Sequence, residues 1–489
     1  MSVRLLGSVF CALSALGSAP AWAQTPQAPS SASNVVRIDP AMLARPEVQR
    51  ALTLKVRKIE VDPASLARFA DSPATDLTIS QGPDPLSSPA TLSPAIMQAL
   101  RSRPAVQASG IESIAPAPRV RAFRAAPRAQ APGARKLNLP DQLDGNGFLN
   151  DLHAALAPNV VGYTARLRKG GANIGTLQWN WAQTPADGSL GWNPDRRMHL
   201  ASVSKLMTAI GLTRVLDDNN ISYNTPIINY LPDYWARGAG VSQITFADLM
   251  THRSGYNVSN PCCDQSFTFL RQRIAAGPNA SVGDVGRYHN LNFGLQRVLI
   301  AVVGGYIDKD TNFGQVNEPV WNAVTNSAYN SYMQEFVFKP AGVTGATMTK
   351  PAGPARAYLF PTSGAGWNSG PMAEQSGGAA WHMSVDEVLD VMDALRRKGT
   401  IMTNAKAQIM LDRGFGLDSG AGVATDAGKL YHKNGRWQNG SGASEQSVVF
   451  FLPGDMELAV FVNSPIGTNN VFLRSLVQTI YVNNLFDPN

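Results

Sequence analysis

Two residues near the start of the segment "RRMHLASVSKLMTAIGLTRVL", Arg196 to Leu216, have the types and the spacing for nucleophilic chemistry: Ser202 and, three positions on, Lys205. The apolar rhythm of the segment predicts an amphipathic helix. Residues three apart on a helix share a face, so the two side chains can point at one spot. A serine hydroxyl attacks poorly until a base takes its proton, and a lysine amine can do so only where burial or positive neighbours lower its pKa. A helix N-terminus also favours negative charge nearby. By average composition a chain of 489 residues holds roughly one Ser-x-x-Lys by chance. A solvent-facing serine is therefore the default unless other residues support the pair.

Two further motifs do. Tyr288-His289-Asn290 sits between a loop and the apolar helix pattern "LNFGLQRVLIAVVGG", and Lys433-Asn434-Gly435 opens a strand-like C-terminal region. Ser-x-x-Lys, then an aromatic hydroxyl with Asn, then Lys-x-Gly is the order found in penicillin-recognising serine hydrolases. From about Leu137 onward the chain resembles the serine β-lactamase and penicillin-binding-protein superfamily, specifically its branch of class C β-lactamases, DD-peptidases and related esterases. "TPIINYLPDYW", "ITFADLMTHRSGY", "YHNLNFGLQRVLI", "FVFKPAGVTGATM" and "GGAAWHMSVDEVLDVMDAL" carry the resemblance beyond the three motifs.

The resemblance implies an α/β (α+β) β-lactamase/transpeptidase-like fold, an antiparallel sheet flanked by helices plus a helical subdomain. It makes Ser202 the acylated nucleophile, Lys205 its proton partner, and Tyr288 the phenol that moves protons between nucleophile, leaving group and water. Asn290 would bond Lys205 or the substrate amide. Lys433 would place a substrate carboxylate and bias the Tyr288 phenol, and Gly435 would leave room for substrate along the strand. The backbone N–H groups of Ser202 and Arg436 would form the oxyanion hole. Three features depart from the family pattern. Arg436 and Trp437 stand where a small residue is usual and are expected to narrow or recharge the pocket. The turn "RWQNGSGASEQ" looks long, and the adjacent Cys262 and Cys263 fall in a loop expected to face the cleft.

The elements that must position these groups are readable in outline. "FLNDLHAALA" has helical spacing, and "VVGYTARLRKGG" with "NIGTLQWNWA" reads as two strands joined at glycine. "EQSVVFFLPGDMELAVFVNSP" splits into two apolar runs at Pro-Gly-Asp, and "NVFLRSLVQTIYVNNLF" reads as a closing helix. Strands at both ends with helices between them predict a sheet completed by the C-terminal region, plus a helical subdomain.

Before the folded region, residues 1–23 carry Arg4, an apolar run and the small-x-small pattern Ala21-Trp22-Ala23, which reads as a secretory signal peptide. Residues 24–137 are rich in Pro, Ala and Ser, with one helical patch at "AMLARPEVQRALTLKVRKIEV", and are expected to be largely unstructured. Part of the formal charge of +7 collects here: Arg101, Arg103, Arg119, Arg121, Arg124, Arg128, Arg135 and Lys136 face the single acid Glu112. Such an arm is either a solvated linker or a tether to an anionic surface or polymer. The catalytic domain is expected at 138–489.

The expected location is therefore outside the cytoplasm, periplasmic or secreted, with no transmembrane segment. Export puts Cys262 and Cys263 in an oxidising setting, where a strained vicinal disulfide competes with two thiols. His153, His199, His252, His289, His382 and His432 show no metal-ligand spacing, so no metal or other cofactor is expected. Alternation turns His289 away from its neighbours in the motif; His432, next to Lys433, is open to a substrate contact. Trp437 and Tyr256 read as packing residues. The function expected is a serine hydrolase acting through an acyl-enzyme on a small-molecule or peptide amide or ester: a peptidase or amidase, an esterase, or a β-lactam hydrolase. No nucleic acid partner is expected. The competing function is a non-catalytic ligand- or cell-wall-binding protein; the joint presence of Ser202, Lys205 and Tyr288 argues against it.

Overall fold

The computed structural model describes residues 142–486 except 258–263, 285, 315–316 and 363. The leader, the arginine-rich segment and the Cys262-Cys263 pair lie outside the described residues. Those described form two compact units, one of residues 211–333 and 374–377, the other of 142–210, 334–373 and 378–486.

The second unit holds the strands: β1 (Gln142–Leu143), β2 (Gly162–Lys169), β3 (Ala172–Gln183), β4 (Leu190–Gly191), β5 (Met198–His199), β6 (His382–Met383), β7 (Val423–Thr425), β8 (Gly428–Gln438), β9 (Ser444–Leu452), β10 (Met456–Val462) and β11 (Leu485–Phe486). Seven of them form one sheet in the order β4-β3-β2-β10-β9-β8-β7, β1 pairs with β11, and β5 pairs with β6. Every pairing is antiparallel. As the sequence predicts, a late strand completes the sheet: β10 lies against β2, Met456 opposite Lys169 and Val462 opposite Tyr163. Both expected hairpins form, β2 to β3 through Gly170-Gly171, each with φ positive, and β9 to β10 through Pro453-Gly454-Asp455.

The helices are α1 (Gly145–Leu156), α2 (Ser204–Asp218), α3 (Phe246–Met250), α4 (Phe267–Ala276), α5 (Leu291–Val303), α6 (Asn317–Met333), α7 (Val385–Asp393), α8 (Asn404–Asp412) and α9 (Leu473–Asn483). Helix α1 starts where Asp144 accepts the N–H groups of Asn146 and Gly147. Its Phe148, Leu149, Leu152 and Leu156 form one core with Leu473, Leu476, Val477 and Ile480 of α9. The sheet residues Leu430, Val448, Phe450, Leu458 and Val460 complete that core. On β2 the core residues Ala165 and Leu167 alternate with Arg166 and Arg168. There α7, opened by a Ser384/Glu387 capping box, meets β2 through ion pairs of Asp386 with Arg166 and Arg168 and of Asp390 with Arg168.

The first unit is helical. Helix α5 is buried from Leu291 through Ala301, as a helix apolar nearly all round must be. Its Arg297 is held by Asn326 at 2.9 Å and the Gln265 carbonyl at 3.1 Å, so a buried cation ties together the segments around it.

Two expectations change in detail. The helix predicted after the charged opening Arg196-Arg197 begins at Ser204, because Met198 and His199 are taken into a strand pair and Ala201–Val203 makes a tight turn. Lys433-Asn434-Gly435 lies within β8 rather than opening a strand region.

Candidate active site

Ser202 stands on a strand-to-helix turn. After β5, the Leu200 N–H donates to the Trp381 carbonyl at 2.8 Å, and the backbone then turns through Ala201 at φ 47°. That left-handed conformation is uncommon for a residue with a Cβ, and it persists where surrounding structure holds it. Ser447 Oγ supplies part of the hold by donating to the Leu200 carbonyl at 2.7 Å. The short turn Ala201–Val203 runs into α2, which brings Lys205 Nζ to 3.0 Å from Ser202 Oγ and 2.9 Å from the Gly378 carbonyl. Lys205 is fully buried. Burial, and after it the positive charge of Lys433, hold its ammonium well below the usual lysine range against the opposing pull of Asp418.

Strand β8 runs close beside this turn. A Cβ on Gly435 would lie 2.2 Å from the Leu200 carbonyl oxygen and 2.9 Å from the Ser202 nitrogen, so only glycine permits the approach. Alternation puts Lys433, Gly435 and Trp437 on one face and His432, Asn434 and Arg436 on the other. Lys433 is 1% exposed and its Nζ meets Asp418 Oδ1 at 2.5 Å. Asp418 Oδ2 accepts the Asn434 N–H at 2.9 Å. Burial by itself would raise the Asp418 carboxyl, but Lys433, His432 and these hydrogen bonds outweigh it and leave it below the usual carboxylate range. The loop carrying Asp418 reaches the site because Gly416, at φ 72°, packs against the backbone of α2, where a Cβ would lie 2.9 Å from the Lys205 carbonyl.

A second buried polar pair lies below the turn. His199 Nδ1 is 2.7 Å from Glu445 Oε1, and its Nε2 meets the carbonyl of Ala379, the residue after the Gly378 that holds Lys205. The Trp437 ring packs edge-on against His199 at 5.2 Å. His199 thereby links the start of the Ser202 turn, β9 and the Gly378–Ala379 segment.

Tyr288 and Asn290 belong to the other unit. Asn290 caps α5, and the half-buried Tyr288 has its ring 4.4 Å from that of His252. His252 Nδ1 accepts the His289 N–H at 3.3 Å and lies 3.1 Å from Asn292 Nδ2. Ser254 Oγ donates to Asn292 Oδ1. The "THRSGY" stretch thus buttresses the phenol-bearing segment.

Ser202, Lys205, Lys433, Gly435 and Arg436 are therefore brought into one unit, and Ser202, Lys205 and Gly435 meet at the turn. Lys433 is ion-paired with Asp418. One expectation is corrected there. The Arg436 side chain points to the far face, bonding Gln438 at 2.8 Å with its guanidinium 5.2 Å from the Phe472 ring, so it does not recharge the site face. His432 is also on the far face, packed on Phe450 at 5.4 Å, because its neighbour Lys433 faces the other way. Trp437 and Tyr256 are buried packing residues as read, and His289 stacks on Phe269. Sequence reasoning missed Asp418, His199, Glu445 and Ser447. Asp418 lies 15 positions from Lys433 and Glu445 lies 246 from His199, separations that no local motif signals.

Among the described residues no three His, Cys, Asp or Glu converge as a metal site, and no helix is long and apolar enough to cross a membrane. Residues 157–473 match the sequence model of the β-lactamase family. Over 106 residues the chain is 28% identical to the esterase/beta-lactamase LipL of Mycobacterium tuberculosis, a match spanning 21% of this chain and 24% of that protein. The fold is similar to that of the beta-lactamase/D-alanine carboxypeptidase of Pseudomonas syringae, with TM-score 0.50 and 16% identity over 67% of this chain and 94% of that one. It is also similar to FmtA of Staphylococcus aureus, with TM-score 0.50 and 15% identity over 69% and 88% of the two chains. The chain belongs to the β-lactamase family.

Proposed function

We propose that the protein is an exported hydrolase that cleaves an ester or amide through an acyl-enzyme on Ser202. The observation that carries this reading is the wholly buried Lys205 amine 3.0 Å from Ser202 Oγ. A lysine held well below its usual range can be neutral when attack occurs. Ser202 Oγ then bonds to the substrate carbonyl carbon as its proton passes to Lys205 Nζ. The tetrahedral oxyanion is received by the N–H groups of Ser202 and Arg436. Collapse expels the alcohol or amine, which leaves with a proton from Lys205 or the Tyr288 phenol. Water then attacks the acyl carbon by the reverse proton path and releases the acid and free Ser202. Asn290 orients the lysine or the substrate amide. The leader-like residues 1–23 support export, and the esterase/beta-lactamase and carboxypeptidase names of similar proteins support the ester and amide scope.

The test is acylation by a fluorescent fluorophosphonate as a function of pH. Ser202→Ala is expected to abolish labelling. In the wild type the rate should rise with pH, because the neutral amine is the active form, with its midpoint below the ordinary lysine value of about 10.4. Lys205→Arg and Tyr288→Phe should each cost about a hundredfold or more. Labelling that survives in Ser202→Ala would overturn the nucleophile, and near-normal acylation by Lys205→Arg would eliminate the lysine as base.

A further inference from the structure

A strand that runs beside a nucleophile is where a substrate's flanking groups are recognised, and the site face of β8 carries, besides the exposed Lys429 near its start, the buried cation of Lys433, two residues from the Gly435 that touches the Ser202 turn. That cation is already engaged. Its Nζ meets Asp418 Oδ1, the other carboxylate oxygen is held by the Asn434 N–H, and both side chains are almost fully buried, at 1% and 3% exposed. The guanidinium three residues further on, that of Arg436, lies on the opposite face. A substrate anion approaching along β8 would have to draw Lys433 off Asp418, which would leave a buried carboxylate without its counter-charge, or else bind beside a pair that is neutral as a whole.

Building on the acyl-enzyme reading at Ser202, we propose that Asp418 is a specificity-determining positioning residue that neutralises Lys433 and makes this site select acyl donors uncharged beside the scissile carbonyl, over those carrying a carboxylate there. Asp418 acts through Lys433 and does not touch the substrate. Its removal should therefore change which substrate is preferred more than it changes the rate on a neutral one. The same charge also offsets the effect of Lys433 on Lys205, so its loss should shift the pH–rate midpoint downward.

The experiment compares 3-carboxyphenyl butyrate with its methyl ester, two substrates that differ chiefly in a charge on the leaving group, with butyrate release as the readout so that only cleavage of the butyryl ester counts. The wild type should favour the methyl ester in kcat/KM by at least about tenfold, the scale of one nearby charge. Asp418→Asn, which keeps shape and removes charge, should move that ratio at least about tenfold toward the carboxylate, chiefly through KM. Asp418→Glu should retain the wild-type preference. Asp418→Asn combined with Lys433→Gln, with both charges gone, should return to it. A wild type that prefers the carboxylate overturns the proposal, whether or not Asp418→Asn folds. A folded Asp418→Asn that hydrolyses the neutral ester with an unchanged ratio overturns it as well. If the wild type turns over neither ester and Ser202 resists fluorophosphonate, the acyl-enzyme reading itself has failed; turnover with the wrong ratio defeats only the role of Asp418.

Discussion

On strand β8, Lys433 and His432 are next to each other in the chain, almost equally buried at 1% and 2% exposed, and directed to opposite faces of one sheet. Lys433 has an ion-pair partner and lies on the face of Gly435, which touches the Ser202 turn. His432 has an aromatic neighbour, Phe450, on the face covered by α1 and α9. The same division extends to β9, where Glu445 and Ser447 reach the Ser202 turn while Val448 and Phe450 fill the core. Burial thus fails to separate functional from packing residues in this sheet. What separates them is how the polar atoms are engaged: across the site face Lys433, Glu445 and Glu457 meet ionisable partners, and across the core face apolar packing dominates, with Gln446 satisfied by backbone groups of Val471 and Leu473.

The strongest way to break this contrast is at Gly435. Gly435→Ala places a Cβ against Leu200, Ser447 and the Ser202 nitrogen. It is expected to cut kcat/KM on a neutral ester by about 10²–10³-fold, the usual cost of displacing an oxyanion donor. Losses of under tenfold, measured on a variant with wild-type thermal stability, would show that the strand is not part of the attack geometry.

A smaller effect, on stability rather than rate, is expected from His432. Burial pushes its pKa down to about 4, so the folded state resists the proton that the unfolded chain accepts near 6.5. A depressed folded pKa means stability that is full above about pH 6.5 and is lost as pH falls toward about 4. His432→Leu should remove about 1.5 kcal/mol of the wild-type loss between pH 6.5 and 5, read from urea midpoints, with kcat/KM changed less than about threefold. A large fall in kcat/KM would return His432 to the site face.

Arg436→Ala should have the smallest effect. Its guanidinium makes one side-chain hydrogen bond and one ring contact on the far face, together about 1 kcal/mol. The backbone N–H proposed for the oxyanion hole is unchanged by the substitution. A shift in preference between anionic and neutral esters in this variant would mean that the guanidinium reaches the site.

Much of this site was legible because its signals are local. Ser202 and Lys205 are three residues apart, Tyr288 and Asn290 two, and Lys433 and Gly435 two, so each motif is complete within a few residues and survives as a short pattern. The strand pairs around Gly170-Gly171 and Pro453-Gly454-Asp455 were legible for the same reason, since turn chemistry sits in the turn itself. The expected start of α2 was wrong by several residues because Met198 and His199 are drawn into a pair with Met383 and His382, far along the chain. Periodicity cannot register that contact.

By itself, then, the sequence determined the family, the closeness of Ser202 and Lys205, and the alternation that sends Lys433 and His432 to opposite faces, since these follow from residue type and short spacing along the chain. Only the tertiary structure decided that Lys433 is matched by Asp418, that Glu445 holds His199, and that Arg436 turns away from the site. The physical reason is that a buried charge is defined by its partner, and here the partner comes from another loop or strand, chosen by how the sheet and its connections pack rather than by anything adjacent in the chain.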